Sequence, residues 1–171
     1  MKSICETPSL DFGALPLAQL ISICYTPASL ERRPADHYAR AAVNEASLIA
    51  GHGIDGDVKA SRGKRQINFL CAEVVKQLES QGFRTDSGAL GEQLVIAGLP
   101  RESLAEGVRL RLGATAVIEI TTPRTPCSRF AHIQGKTIEA AWGRLGYLAR
   151  VVEGGAIVIG APVEVLAGDC P

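Results

Sequence analysis

In the stretch Thr122-Pro123-Arg124-Thr125-Pro126-Cys127-Ser128-Arg129, one cysteine stands between two arginines. The thiolate is the nucleophilic and metal-ligating form of cysteine, and neighbouring cations stabilise it. Proline fixes φ and pushes the residue before it towards extended backbone, so Pro123 and Pro126 predict a defined loop. Residues 116–121, just upstream, are rich in β-branched side chains and read as a strand. Cys127 then lies just past a strand end, a common place for a site. Its bland alternative is a structural thiol, because free cysteines are among the most buried residues. The arginine flanks suit a thiolate better.

Two other stretches can carry chemistry. In Gly53-Ile54-Asp55-Gly56-Asp57-Val58-Lys59 two glycines allow tight turns, and Asp57 can accept amide hydrogen bonds or orient a cation. The following Ser61-Arg62-Gly63-Lys64-Arg65 offers cations for a phosphate or carboxylate. It is not a P-loop, because the Gly-Lys-Ser/Thr order is missing. In Gly88-Ala89-Leu90-Gly91-Glu92-Gln93-Leu94, glycines beside Glu92 permit close backbone approach at a strand entry. Asp-Gly pairs such as the first are more often ordinary turns, and a structural turn explains the second motif equally well. His132, five residues after Cys127, raises a Cys-His hydrolase reading, but the sequence supplies no third, orienting residue.

The elements that must position these groups are short. Strands are predicted over residues 20–25, 66–71, 93–96, 108–112, 115–121, 148–152, 156–159 and 163–166, separated by glycine turns. Residues 42–50 fit a strand or a helix, and 29–42 read as a surface connection. Glu153-Gly154-Gly155 signals a hairpin. Helices are predicted over 72–81 and 137–144, the second with Thr137 as N-cap. Many short strands and few helices imply a mainly β fold, a β-barrel or sandwich, with a few peripheral helices.

Bulk properties narrow the rest. The 171 residues suit one domain over 17–171 preceded by an N-terminal arm over 1–16. Only 5% of residues are aromatic, so the core must be aliphatic. Eighteen basic residues balance eighteen acidic ones, which argues against nucleic acid or an anionic membrane as partner. No apolar run approaches the ~20 residues that cross a bilayer, and the N-terminus makes a poor signal peptide. Five cysteines, an odd number without a C-x-x-C pair, suggest neither disulfides nor a zinc site. A soluble, cytoplasmic protein is the expectation. Cys24 and Cys71 lie in apolar runs and read as packing residues; Cys5 and Cys170 belong to the chain ends.

Taken in order, Gly-Ile-x-Gly-Asp, Gly-x-Leu-Gly-Glu-x-Leu and Pro-Arg-x-Pro-Cys resemble the MOSC domain, named for the C-terminal domain of molybdenum cofactor sulfurase. The resemblance extends over residues 20–166, including the closing Gly146–Gly155 run and Ile-Gly-Ala-Pro-Val-Glu-Val. It implies a β-barrel that binds the molybdenum cofactor, a pterin dithiolene with a phosphate (molybdopterin). It also implies that Cys127 carries persulfide sulfur or ligates molybdenum, both of which need a thiolate. Lys64, Arg65, Arg124 and Arg129 become candidate phosphate cations, with Gly53, Asp57 and Glu92 converging on the same pocket. Gln93 departs from the family's usual asparagine and Lys59 from its frequent histidine. The implied role is sulfur transfer or cofactor handling, with a cysteine desulfurase or a molybdenum enzyme as partner. Pyridoxal phosphate would belong to that partner, not to this chain. The rivals are a minimal molybdenum reductase of N-hydroxylated compounds and a non-catalytic cofactor-binding module.

Overall fold

The computed structural model describes residues 17–166. The predicted arm over 1–16, with Cys5, and the C-terminal Cys170 lie outside them. Eleven strands dominate: β1 (Gln19–Tyr25), β2 (Ala41–Val43), β3 (Glu45–Ile49), β4 (Gly53–Ile54), β5 (Ile67–Cys71), β6 (Leu94–Ala97), β7 (Arg109–Leu112), β8 (Ala116–Pro123), β9 (Tyr147–Glu153), β10 (Gly155–Val158) and β11 (Val163–Leu166). Two α-helices, α1 (Ala72–Ser80) and α2 (Ser128–Gln134), accompany them. The fold is mainly β, as the sequence predicts.

Eight strands form one sheet in the order β11-β7-β8-β9-β5-β6-β1-β2, and β10-β3-β4 form a second. The strand ladder does not draw the closed barrel expected from the sequence. The start of β1 meets the segment before the edge strand β11 at a single bridge, Gln19 with Pro162, flanked by Leu20 N–H to Ala161 (3.0 Å) and Val163 N–H to Ala18 (2.7 Å). Proline has no N–H to continue a ladder there, and β1 shifts register between Leu20 and Ser22. All strand pairs are antiparallel except β5 with β6, which α1 connects.

The aliphatic core expected from the composition sits between the sheets and the helices. β5 is buried at all five positions, and Leu20, Ile23, Leu94, Ile96, Leu110, Ile118 and Ala149 have no accessible surface. Each of the leucines and isoleucines stabilises the fold by about 1.5–3 kcal/mol relative to exposure. Helix α1 contributes Val74 and Leu78 at helical spacing, and Gly82 follows its end with φ of 77°.

Three local expectations fail, each for a tertiary reason. The strand read to residue 121 runs on through Pro123, which pairs with Tyr147 as the last residue of β8, so the loop begins only after it. The helix predicted over 137–144 contracts to a 3-10 turn at Glu139–Ala141, although Thr137 Oγ1 does accept the Ala140 N–H (3.3 Å). The Glu153-Gly154-Gly155 hairpin does not form either. β10 leaves β9 and pairs with β3, because Gly154 packs against the Leu48 carbonyl, where a Cβ would come within 2.8 Å.

Gly146 is the tightest glycine near the cysteine loop. Its φ is 71°, its carbonyl accepts the Arg124 N–H (2.9 Å), and a Cβ there would collide with the Phe69 carbonyl of β5. Gly143, with φ of 70°, has nothing within 4 Å of a built Cβ. Gly143→Ala should therefore cost about 1 kcal/mol, the ordinary penalty of a left-handed backbone. Gly146→Ala should cost about 3 kcal/mol or more, because β5 must also move. Thermal melts of the two variants check this; equal losses would show that the Phe69 contact is slack.

Candidate functional site

Cys127 is the residue before α2 and is exposed, whereas Cys24 and Cys71 are buried. Sequence periodicity misses α2, since Pro126 and Cys127 break the pattern before it and Gly135 (φ 61°) stops it after seven residues. His132 follows Cys127 by five residues and lies in the second turn of this helix, while Cys127 precedes it with extended backbone (φ -128°, ψ 171°), and the two share no hydrogen bond. That placement gives the Cys-His hydrolase reading no support.

The loop carrying Cys127 is held by its arginines. Arg124 is half-buried: its Nη1 donates to the Leu90 carbonyl (2.8 Å) and its guanidinium lies 5.9 Å from the Phe130 ring centroid. Arg129 donates to the carbonyls of Pro34 (2.6 Å) and His37 (3.0 Å) and stacks 5.5 Å from the Tyr38 ring centroid. Cys127 lies close enough to Tyr38 and Arg124 for its charge to act on both. Burial lowers the Arg124 proton affinity and raises that of the Tyr38 phenol.

The glycine motifs serve this arrangement. At Gly91 (φ 83°) a Cβ would fall 2.9 Å from Arg124 Nη2 and 3.0 Å from the Tyr38 ring. At Gly88 (φ 81°) it would collide with the Arg40 side chain. Glycine at both positions lets two arginine stems cross the backbone. Between them Glu92 is buried; its Oε1 accepts the Gly88 N–H (2.6 Å), while Oε2 has no partner among the described residues. Burial pushes its carboxyl above the usual carboxylate range.

Asp57 is also buried. Its carboxylate accepts from the Lys59 N–H (2.9 Å), the Thr26 N–H (3.3 Å), Gln93 Nε2 (2.8 Å) and Arg40 (3.5 Å). Gly53 (φ 128°) is buried in β4, where a Cβ would sit 3.0 Å from the Gln66 carbonyl. Gly53 thus shapes the backbone beneath the Asp57 turn rather than lining a cavity.

Above this cluster opens a concavity of about 440 Å³ lined by Arg32, Arg33, Tyr38, Arg40, Lys59 and Arg129. Five of its six lining residues are cations. Burial, then the like charges of Arg40, Arg129 and Arg32, hold the Lys59 ammonium below its usual range, with Asp57 opposing. Such crowding of positive charge is relieved by an anion. Lys64 lies elsewhere, in a separate concavity of about 400 Å³ with Arg62 and Arg150, and Arg65 is exposed on the same loop. The structure thus brings Arg129 and Asp57 to one side of the molecule with Cys127 and Arg124, and sets Lys64 apart. Sequence reading missed Arg32, Arg33, Tyr38 and Arg40, which it assigned to a surface connection; the Arg32-Arg33 pair was the one visible cue.

Comparison with known proteins bears out the family resemblance read from the sequence. The MOSC domain family matches residues 38–164. The chain belongs to the MOSC domain family. A protein of Gibberella moniliformis named "Reductase" is 32% identical over 90 residues, half of this chain and 16% of its own length. YflK of Bacillus subtilis is 33% identical over 85 residues, 47% of this chain and 38% of its own. The MOSC domain thus aligns with well under half of either curated relative. Among solved structures, YuaD of Bacillus subtilis superposes with a TM-score of 0.71 at 18% identity, covering 86% of this chain and 94% of that one. YiiM of Geobacillus stearothermophilus gives 0.65 at 22% identity, over 88% and 75% of the two chains. These likenesses establish the MOSC fold. No helix of the described residues is long and apolar enough to cross a membrane.

Thiol chemistry separates the cysteines. Burial, with Glu92 nearby, pushes Cys24 up to about 12, and burial with Glu73 pushes Cys71 up to about 11. Cys24 Sγ also donates to the Glu92 carbonyl (3.1 Å). At pH 7.5 fewer than about one in a thousand of either would be thiolate. Iodoacetamide should modify the Cys127 peptide at least about a hundredfold faster than the Cys24 or Cys71 peptides, read by mass spectrometry. Comparable rates would place Cys127 in a shielded environment that this structure lacks.

Proposed function

We propose that this MOSC domain binds the phosphate-bearing end of the molybdenum cofactor in the Arg32–Arg33–Lys59–Arg129 concavity and presents Cys127 to its sulfur or metal. The observation that carries this reading is the exposed thiol beside a concavity whose lining is almost wholly cationic. The donor set fits the ligand. Arginine and lysine suit a phosphate, and a lone thiolate suits a soft metal that a dithiolene already ligates. Among the described residues no group of three or more His, Cys, Asp or Glu could form a metal cage, which leaves Cys127 as the exposed thiol ligand those residues offer. When bound, the cofactor would supply the molybdenum centre itself.

The chain's own groups then have distinct tasks. Arg32, Arg33 and Lys59 neutralise the phosphate, Arg129 bridges the concavity to the loop, and Arg124 and Glu92 hold the loop's backbone partners in place. As a sulfur carrier, the Cys127 thiolate attacks the outer sulfur of a donor persulfide. The new bond is Cys127 Sγ–S, the donor's S–S bond breaks, and the donor leaves as a thiolate, with no net oxidation. A cysteine desulfurase would be a donor of that class, carrying its own pyridoxal phosphate, and a molybdenum enzyme an acceptor. A second reading, a molybdenum reductase acting on N-hydroxylated compounds with an external electron donor, draws on the relative named "Reductase".

The test is purification from cells able to make the cofactor, followed by molybdenum and pterin analysis. Wild type should carry both, Arg32→Ala/Arg33→Ala should lose at least about tenfold of the pterin, and Cys127→Ser should lose molybdenum or persulfide. Molybdenum retained in wild type and lost in Cys127→Ser favours metal ligation; persulfide on Cys127 without molybdenum favours sulfur carriage. Full loading of both variants would remove this site from the function.

A further inference from the structure

A further cavity, at the β8–β9 end, has no part in the reading above. It holds about 260 Å³, and its lining includes Val74, Arg101, Pro123, Arg144, Gly146 and Tyr147. Pro123 and Tyr147 are direct partners across the β8–β9 ladder, so their rings lie side by side on one face. Tyr147 is fixed from behind by stacking on Phe69, with centroids 5.5 Å apart and planes at 25°. Gly146, which tolerates no Cβ, keeps the wall flat.

The polar side of this cavity is cationic. Arg144 is held by Gln81 Oε1 (2.7 Å) and by the Ala140 carbonyl, both neutral acceptors. None of the described ion pairs involves Arg101 or Arg144. The acids nearest in sequence, Glu102 beside Arg101 and Glu139 before Arg144, form none of the described ion pairs, and Glu73 on α1 is engaged with the Gly98 N–H (2.9 Å). Two guanidinium groups therefore face an apolar recess without a carboxylate of their own. Guanidinium binds carboxylate through paired, charge-assisted hydrogen bonds. A dry apolar cavity of ~150 Å³ already holds a benzene ring, so the larger volume here has room for a ring and a carboxylate.

We propose that this cavity is a binding site for a small flat carboxylate of benzoate size, its ring against Pro123 and Tyr147 and its carboxylate on Arg101 and Arg144. Gly146 also accepts the Arg124 N–H (2.9 Å), so an occupant touches the strand end from which the Cys127 loop departs.

The experiment is a titration of ¹⁵N-labelled protein with sodium benzoate, benzamide and sodium acetate, followed by amide shifts. Benzoate should shift Gly143, Gly146 and Tyr147 saturably in the millimolar range. Benzamide, which lacks the charge, and acetate, which lacks the ring, should each bind at least about tenfold more weakly. Arg101→Ala, at an exposed position, should weaken benzoate by about tenfold. The proposal is overturned if benzoate shifts scatter or do not saturate, if benzamide or acetate matches benzoate, or if folded Arg101→Ala binds benzoate unchanged. The three-probe comparison on wild type decides the matter even if that variant misfolds.

Discussion

The buried carboxylate of Asp57 is the interaction on which the site depends. A charge with no accessible side-chain surface is tolerated only when hydrogen bonds and an opposite charge surround it. Asp57 draws those partners from distant parts of the chain: the Thr26 amide after β1, the Lys59 amide in its own turn, Gln93 before β6, and Arg40 before β2. Gln93 extends the network, its Oε1 accepting the Asn68 N–H of β5 (2.9 Å). Arg40 extends it another way, donating to the Gly91 carbonyl (3.1 Å). One carboxylate thus fixes the loops below the cationic concavity to β1, β5 and β6. Removing it would take away the carboxylate that pairs with Arg40 and the main-chain N–H groups of Thr26 and Lys59, so both shape and electrostatics of the concavity rest on it.

Glycine supplies the other constraint. Arginine stems are long, and bringing two of them across a turn requires backbone without side chains. Gly88 and Gly91 provide it, with left-handed φ values that other residues adopt only under strain. In the sequence these glycines look like ordinary turn formers. Their physical role emerges only with Arg40, Tyr38 and Arg124 in place. The motif is therefore as much about what lies over the backbone as about how the backbone turns.

This contrast explains what could be read in advance. β1, β5, β8, β9 and β11 were legible because short β-branched runs bounded by glycine carry their own signal, and α1 because Val74 and Leu78 repeat at helical spacing. Residues 29–42 were not legible as part of a site. Their arginines look like a solvated loop until the fold carries the chain past Lys59 and Arg129, which are remote in sequence. α2 escaped because it is short and its buried residues, Phe130, Ile133 and Gln134, give barely two turns of pattern. The separation of Lys64 from this concavity was equally invisible, since nearness to Asp57 in sequence says little about which side of the sheet a loop occupies.

The two departures from the family pattern fall on opposite sides of this network. Gln93 is one methylene longer than asparagine, and that length is used: one end reaches the Asn68 amide while the other reaches Asp57 Oδ2. It is a buried strut without exposed chemistry. Lys59 points the other way, into the concavity, where its main-chain N–H is spent on Asp57 but its ammonium has no partner beyond that neighbour's field. An ordinary histidine is largely neutral near pH 7, whereas an ordinary lysine is charged there; burial and its cationic neighbours lower the Lys59 proton affinity from that higher starting point. The substitution therefore strengthens the positive field beside Cys127 and holds it to higher pH. The interior departure preserves the scaffold, and the surface departure adds a positive charge to the lining of the concavity.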